Sequence, residues 1–171
     1  MSADPGRLPS AQERAIVSAQ LGRVPRDPWR VAALCRHGFP AAIVSPSVLA
    51  DGTRFPAYAW LTCPHLTATL FAEESAGAAA RWAERAAADR ALASALQAAD
   101  AALRVARARE SGGEDACGDV GLAGQRDPLG VKCLHGHVAL ALVGIDDPIG
   151  AEELARTGQT CSDARCATLV A

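Results

Sequence analysis

The pattern of apolar and polar positions predicts helices over most of the chain and strands only near its beginning. Residues 10–13, Ser-Ala-Gln-Glu, have the form of a capping box, in which Ser10 accepts from the amide of Glu13 and the Glu13 side chain reaches back. We therefore expect a first helix over residues 11–21. Gly22 is placed to end it, because glycine readily adopts the left-handed conformation found after many helices.

Three short apolar segments between residues 29 and 62 predict a small antiparallel sheet. Residues 29–35 and 41–45 flank a turn-like pentapeptide and favour a hairpin. After a second turn, residues 55–62 alternate bulky and small side chains, and their aromatic residues favour extended structure. Cys63 comes next and precedes a proline that suits the first turn of a helix. We therefore expect Cys63 at a strand-to-helix junction.

Helical periodicity dominates residues 64–110, where Gly77 is expected to divide a short helix from a long one. In the long helix, apolar residues recur at three- and four-residue steps: Leu92, Leu96, Ala99, Leu103 and Ala106. Asp100 and Arg104 form an acid-before-base pair on the flank of this stripe. The stripe predicts a helix packed on one face and solvated on the other, or a coiled-coil surface for a partner.

The last third of the chain is expected to return to helix after a break. Residues 111–130 are rich in glycine and aspartate and predict a loop or disordered link. A helix is expected over residues 131–143, and a last helix over residues 147–156. We therefore expect an N-terminal helix and lead-in over residues 1–22, one domain over 20–157, and a polar tail over 158–171. The fold class is α+β, predominantly helical, with a small antiparallel sheet in the N-terminal third.

Composition narrows the functional classes. The 171 residues suffice for one domain with a real core, and only 4% of them are aromatic, which favours helices packed through alanine. A net charge of −2 argues against nucleic-acid and acidic-membrane partners, which need an excess of Lys and Arg. No apolar run reaches the ~18 residues that cross a bilayer, and no signal peptide is evident. We therefore expect a cytoplasmic protein whose cysteines are free or metal-bound.

The candidate chemistry is concentrated between Cys133 and His137, which hold a thiol and two of the four histidines. On a helix, Cys133 and His137 lie four residues apart on one flank and can chelate one ion. His135 joins them only if the helix begins late. Cys35 and Cys63 each start a Cys-x-His triplet like that of Cys133. This pattern predicts a zinc site formed by Cys35, Cys63 and Cys133 with His135 or His137, although no Cys-x-x-Cys pair supports it.

Two other interpretations remain open. The cysteines can be buried small hydrophobes. Alternatively, Cys133 can be a nucleophile, because it has a histidine within reach and lies near a helix N-terminus, where the thiolate is favoured. Cys117, Cys161 and Cys166 lie in polar segments and are interpreted as incidental, although the last two can complete a metal site.

Several motifs together resemble the bacterial domain of unknown function family 501. They are Cys35-x-x-Gly38-x-Pro40, Asp51-Gly52-Thr53-x-Phe55-Pro56, Trp60-Leu61-Thr62-Cys63-Pro64 and Val131-Lys132-Cys133-Leu134-His135, with Leu21-Gly22-Arg23 before them and Asp147-Pro148-Ile149-Gly150 after them. The resemblance covers residues 20–150. It implies that Cys35, Cys63, Cys133 and His135 occupy motif positions. The chain departs from the pattern at Ala57, where threonine is usual, and at Leu140, where a further histidine is frequent.

The resemblance brings no activity, because the family is uncharacterised. Its members look like proteins encoded near a septum-formation protein and an exopolyphosphatase, which suggests a link to cell division. The residues and the resemblance together favour a zinc-stapled, non-enzymatic interaction module with a protein partner. The alternative is a small thiol- or metal-dependent enzyme of unknown substrate.

Overall fold

The computed structural model describes residues 6–158 and 161–169. Its sheet consists of β1 (Arg30–Leu34), β2 (Pro40–Val44) and β3 (Ala59–Leu61), antiparallel and in the order β1-β2-β3. Adjacent strands pair as Leu34 with Pro40 and as Ala42 with Leu61. The predicted sheet in the N-terminal third is therefore confirmed.

The helices of the described residues surround this sheet. They are α1 (Ala11–Leu21), α2 (Pro64–Ser75), α3 (Ala78–Ala88), α4 (Arg90–Glu110), α5 (Leu134–Leu142) and α6 (Pro148–Thr157), with short 3-10 helices at Leu122–Gly124 and Arg165–Thr168. The predicted α+β class is confirmed. The capping box at Ser10 and Glu13 and the left-handed Gly22 bound α1 as expected.

Strand β2 is buried along its whole length because both faces of the sheet are covered. Ile43 packs in a small cluster with Val17 of α1 and Trp29. Ala42 and Val44 belong to the larger cluster that the other helices share. The sheet therefore packs against α1 on one face and against the larger helical core on the other.

Helix α4 buries the predicted stripe, and all five of its members lie in the core. Asp100 accepts a hydrogen bond of 2.7 Å from Arg104, as their spacing indicated. The prediction of a single long helix after Gly77 is wrong, because Asp89 interrupts it. The Asp89 carboxylate accepts from the amides of Ala91 and Leu92, which makes Asp89 the N-cap of a new helix.

The segment over residues 111–130 is a loop, as one of the two expectations had it, and it is ordered around a buried arginine. Arg107 of α4 is fully buried and donates to both oxygens of Asp115 at 2.8 and 2.7 Å. It also donates to the carbonyls of Pro56, Cys117 and Val120. Cys117 is itself buried in this loop, and its interpretation as incidental stays a prediction.

Helix α5 begins at Leu134, three residues later than predicted, with Cys133 as its extended N-cap residue. His137 is buried, and its Nδ1 lies 2.7 Å from Oδ2 of Asp147. The other oxygen of Asp147 accepts from the amide of Gly150 in α6. At Gly150 a Cβ atom would lie 2.1 Å from the carbonyl oxygen of His137, so α5 and α6 are in backbone contact.

In the part of the chain that the structure describes, no helix combines the length and the apolar character that a membrane span requires.

Candidate metal centre

The candidate site lies where the C-terminal half of α2 meets the first turn of α5. Thr67 and Glu74 are two turns apart on α2 and therefore share one face of that helix. Cys133 precedes α5, and His135 is its second residue. On one regular helix, residues 133 and 135 would lie on different faces. Because Cys133 is extended and α5 begins only at Leu134, the Cys133 and His135 side chains can lie side by side.

Glu74, Cys133 and His135 offer three ligand atoms that all lie within 4.8 Å of one another. Among residues 6–158 and 161–169, they are the one group of three Cys, His, Asp or Glu residues with this geometry. Nδ1 of His135 lies 3.2 Å from Oε1 of Glu74. The same oxygen accepts from the amide of Leu134 at 2.5 Å, so Glu74 also caps α5.

The second nitrogen of the His135 ring is held by the backbone. Nε2 lies 3.1 Å from the carbonyl oxygen of Thr67, and a carbonyl can only accept, so Nε2 carries the proton. Nδ1 is left to face Glu74 and is the nitrogen that can bind an ion. Metal-binding histidines commonly donate their other nitrogen to a backbone carbonyl in this way, which fixes the tautomer and the ring orientation.

The electrostatics of His135 favour a cation at this position. The hydrogen bond with Cys133, helped by the Glu74 charge and the Thr67 carbonyl, raises the pKa of His135 to about 9 against the opposing effect of burial. The side chains of His135 and Glu74 remain 22% and 24% exposed. The site is thus half-buried, rich in negative partners, and within reach of solvent.

Cys133 and His135 also line a cleft of about 510 Å³. Its other walls are largely apolar and include Leu21, Trp60 and Leu122. The aromatic ring of Trp60 is stacked on Phe55 with ring centroids 5.7 Å apart, which supports this wall of the cleft. A molecule in the cleft would therefore meet the Cys133 and His135 side chains at one end and apolar surface elsewhere.

Of the five ligands expected from the sequence, Cys133 and His135 belong to this group of three. His137 faces Asp147 in the core. Cys133 lies outside α5, so Cys133 and His137 are not four residues apart on one helix as expected. Cys35 and Cys63 lie outside the group of three, so the expected convergence of their sulfurs with that of Cys133 is not found. Whether Cys35 and Cys63 bind metal stays a prediction.

Glu74 is the member that sequence reasoning missed. It follows another glutamate, Glu73, near the end of a helix, and such pairs are common on solvated helix faces. No spacing links it to Cys133. Glu74 and Thr67 are seven residues apart and share one face of α2. This spacing identifies both as neighbours of His135 only once α5 is known to begin beside α2.

Comparison with known proteins adds a family but no activity. The model of a family described as "Protein of unknown function (DUF501)" matches residues 31–155. No curated protein and no solved structure matches the chain. The match covers most of the domain, from the second residue of β1 to the eighth residue of α6, and includes each member of the candidate metal centre, whereas Cys161 and Cys166 lie beyond it. The chain therefore belongs to the DUF501 family of proteins of unknown function.

Proposed function

We propose that this protein is a metal-dependent enzyme that holds one zinc ion through Glu74, Cys133 and His135 and acts on a small molecule in the adjoining cleft. The observation that carries the proposal is the orientation of His135. Its Nε2 is fixed by the Thr67 carbonyl, while its Nδ1 is directed at Glu74 beside Cys133.

The donor set fits zinc. Zinc binds thiolate sulfur, imidazole nitrogen and carboxylate oxygen, and a Cys/His/Glu set offers one of each. Calcium and magnesium prefer sets made of oxygen alone, which this group is not. The three residues are half-buried, which excludes part of the competing water. This strengthens the attraction between a cation and the Glu74 carboxylate and Cys133 sulfur.

Three protein ligands leave one position of a tetrahedral ion for water or substrate, which is the arrangement of catalytic zinc sites. When bound, such an ion polarises a carbonyl group or lowers the pKa of a water molecule to about 7. Cys133 and His135 face the cleft and can present the open position to it. Trp60 and Leu122 can hold an apolar portion of the substrate and exclude water from its vicinity.

The Glu74, Cys133 and His135 group gives less support to the other function expected from the sequence, a non-enzymatic interaction module stabilised by a four-ligand zinc site. A structural zinc site usually has four protein ligands and is closed to solvent, whereas these three are partly exposed and adjoin a cleft. The link to cell division stays a prediction.

Loading the purified protein with cobalt(II) tests the proposal, because the visible spectrum of cobalt reports its ligands. We expect the parent protein to bind cobalt at this group, and His135→Ala to bind one ion fewer per chain and to lose the part of the spectrum that this group contributes. His65→Ala is the matched control, since His65 lies on the first turn of α2 and outside the group of three. Addition of azide should then change the spectrum of the parent protein, because an open position accepts it. The same amount of bound cobalt and the same spectrum in His135→Ala as in the parent protein would overturn the proposal.

A second candidate is a metal-free thiol enzyme, and the proximity of the Cys133 sulfur to the His135 ring, within 4.8 Å, favours it. In this case His135 would keep Cys133 as a thiolate, and the Thr67 carbonyl, which faces the other ring nitrogen, would orient His135 as the third member of a nucleophile-base-orienter arrangement does. A strong chelator distinguishes the candidates. Rapid alkylation of Cys133 in protein shown to be free of metal, with no cobalt binding, would place the thiol enzyme first.

A further inference from the structure

The sheet brings a second set of thiols together at the edge where β1 ends, β2 begins and β3 ends. Cys35 follows β1, and its amide donates to the carbonyl of Phe39 at 2.9 Å. Cys63 follows β3, and its amide donates to the carbonyl of Ala41 at 3.3 Å. The two cysteines therefore flank the start of the central strand, and both pack against the larger core cluster.

The C-terminal segment lies across this same edge. The carbonyl of Cys161 accepts from Arg36 and lies 2.8 Å from Nε2 of His37, both in the turn between β1 and β2. The sulfur of Cys166 accepts from Nε2 of Gln20, which also donates to the carbonyl of Pro40, the first residue of β2. Both ends of the segment are therefore tied to the residues that surround Cys35 and Cys63.

The burial of this segment is selective. Over residues 161–169, Cys161 and Cys166 are buried to 6% and 4% exposure, while the residues between and after them are exposed or partly so. A polar segment that buries only its two thiols is not held by a hydrophobic face. Cys161 and Cys166, interpreted from the sequence as incidental, are thus the two residues that this segment buries beside the sheet edge.

The thiols also influence one another. Burial raises the pKa of Cys63, and the neighbouring thiols of Cys166 and Cys35 raise it further, while the amides of Leu66 and His65 oppose them. Burial likewise raises the pKa of Cys166, to which the thiols of Cys35 and Cys161 add. The hydrogen bonds at the sheet edge gather four cysteines around the start of β2, and cysteine sulfur is a preferred ligand of zinc.

We infer that Cys35, Cys63, Cys161 and Cys166 form a second metal site, a closed four-thiolate zinc centre that fastens the C-terminal segment to the sheet. Cys161 and Cys166 are separated by four residues, a spacing found in structural zinc sites. No three of these sulfurs lie within 4.8 Å of one another in the described chain, so binding must draw them together. The site is distinct from the Glu74 group and independent of the proposed enzyme function.

Metal analysis of the full chain tests this site. Thiolate-to-cobalt charge transfer reports sulfur ligands, so we use it in a Cys133→Ser background, which removes the sulfur of the other site. A four-thiolate site keeps about one zinc per chain in this background and gives strong charge-transfer absorption with cobalt. Adding Cys161→Ser and Cys166→Ser should remove both signals, whereas adding Cys117→Ser should not, because the Cys117 sulfur faces the carbonyl of Ser47 instead.

Trypsin supplies a measurement that does not depend on spectra. Arg165 lies between the two tail cysteines and is exposed, so a chelator should speed cleavage after it by at least about tenfold if zinc holds the segment. Circular dichroism of the double variant checks that the domain, which lies upstream of both substitutions, remains folded. Unchanged cobalt absorption in that variant, or trypsin cleavage that a chelator does not speed, would overturn the inference.

Discussion

Glu74 and His135 are 61 residues apart in the sequence, and Oε1 of the first lies 3.2 Å from Nδ1 of the second. The same oxygen accepts the amide of Leu134, so one carboxylate both caps α5 and faces the imidazole. The candidate metal centre and the start of the helix that carries His135 therefore depend on the same side chain.

Replacing Glu74 by glutamine separates these two roles. The amide oxygen of glutamine can still accept from Leu134, whereas the charge that attracts a cation is lost. We expect Glu74→Gln to weaken zinc binding by at least about tenfold while the protein stays folded. Competition with a zinc-binding dye measures the affinity. Glu73→Gln is the control, because Glu73 binds Arg156 at the surface instead, and an equal loss in both variants would remove Glu74 from the site.

Arg107 should be the most sensitive charged residue for stability. It is fully buried and binds Asp115 through two parallel hydrogen bonds, a geometry that lysine cannot reproduce. We expect Arg107→Lys to lower the free energy of unfolding by about 1–3 kcal/mol, the range found when a buried acceptor loses its hydrogen-bond donor. Urea unfolding measures it. Arg104→Lys, whose partner Asp100 lies nearer the surface, should change stability by less than about 1 kcal/mol.

The Arg107–Asp115 pair also predicts how stability changes with acid. Burial raises the pKa of Asp115, but the hydrogen bonds from Arg107 and the Cys117 amide outweigh it and hold the pKa below its ordinary value. A carboxyl with a lowered pKa stabilises the folded state above its unfolded pKa of about 3.9, and this contribution is lost as the pH falls through the lower, folded value. The free energy of unfolding should therefore fall less steeply with decreasing pH below about 3.9 in Asp115→Asn than in the parent protein. The same steepness in both proteins would show that Asp115 does not contribute.

Gly150→Ala should separate α5 from α6. The added Cβ would lie 2.1 Å from the His137 carbonyl oxygen and 2.8 Å from the Cβ of Ala141, so one helix must move. Such overpacking costs about 1–3 kcal/mol, which a lowered melting temperature would report. Gly130→Ala is the control, because its nearest new neighbour would be 3.5 Å away. Equal melting temperatures for the two variants would show that the contact tolerates a methyl group.

The sequence predicted the elements better than the assembly of the site. Periodicity and capping signals are local, so α1, the buried stripe of α4 and the sheet could be anticipated. The break at Asp89 had a local signal as well, a capping residue before an apolar run, but the uninterrupted alanines on both sides concealed it.

The metal ligands were harder to predict because they depend on contacts between distant elements. Cys133 and His135 could be found from their proximity in the sequence, but the choice between His135 and His137 turned on where α5 begins. Glu74, the α2 partner, fixes that start through the amide of Leu134. Cys161 and Cys166 looked exposed because burial of a polar segment cannot be read from its composition.

Asp147 gives one carboxylate oxygen to His137 in α5 and the other to the first turn of α6. If either helix frayed alone, that buried oxygen would lose its partner, which is unfavourable in a dry environment. The two helices should therefore open as a single cooperative unit, and their amides should exchange with deuterium at similar, slow rates. His135 belongs to α5 and therefore to this unit. Its imidazole should leave its position only when the unit unfolds locally, which is slower than the motion of a loop.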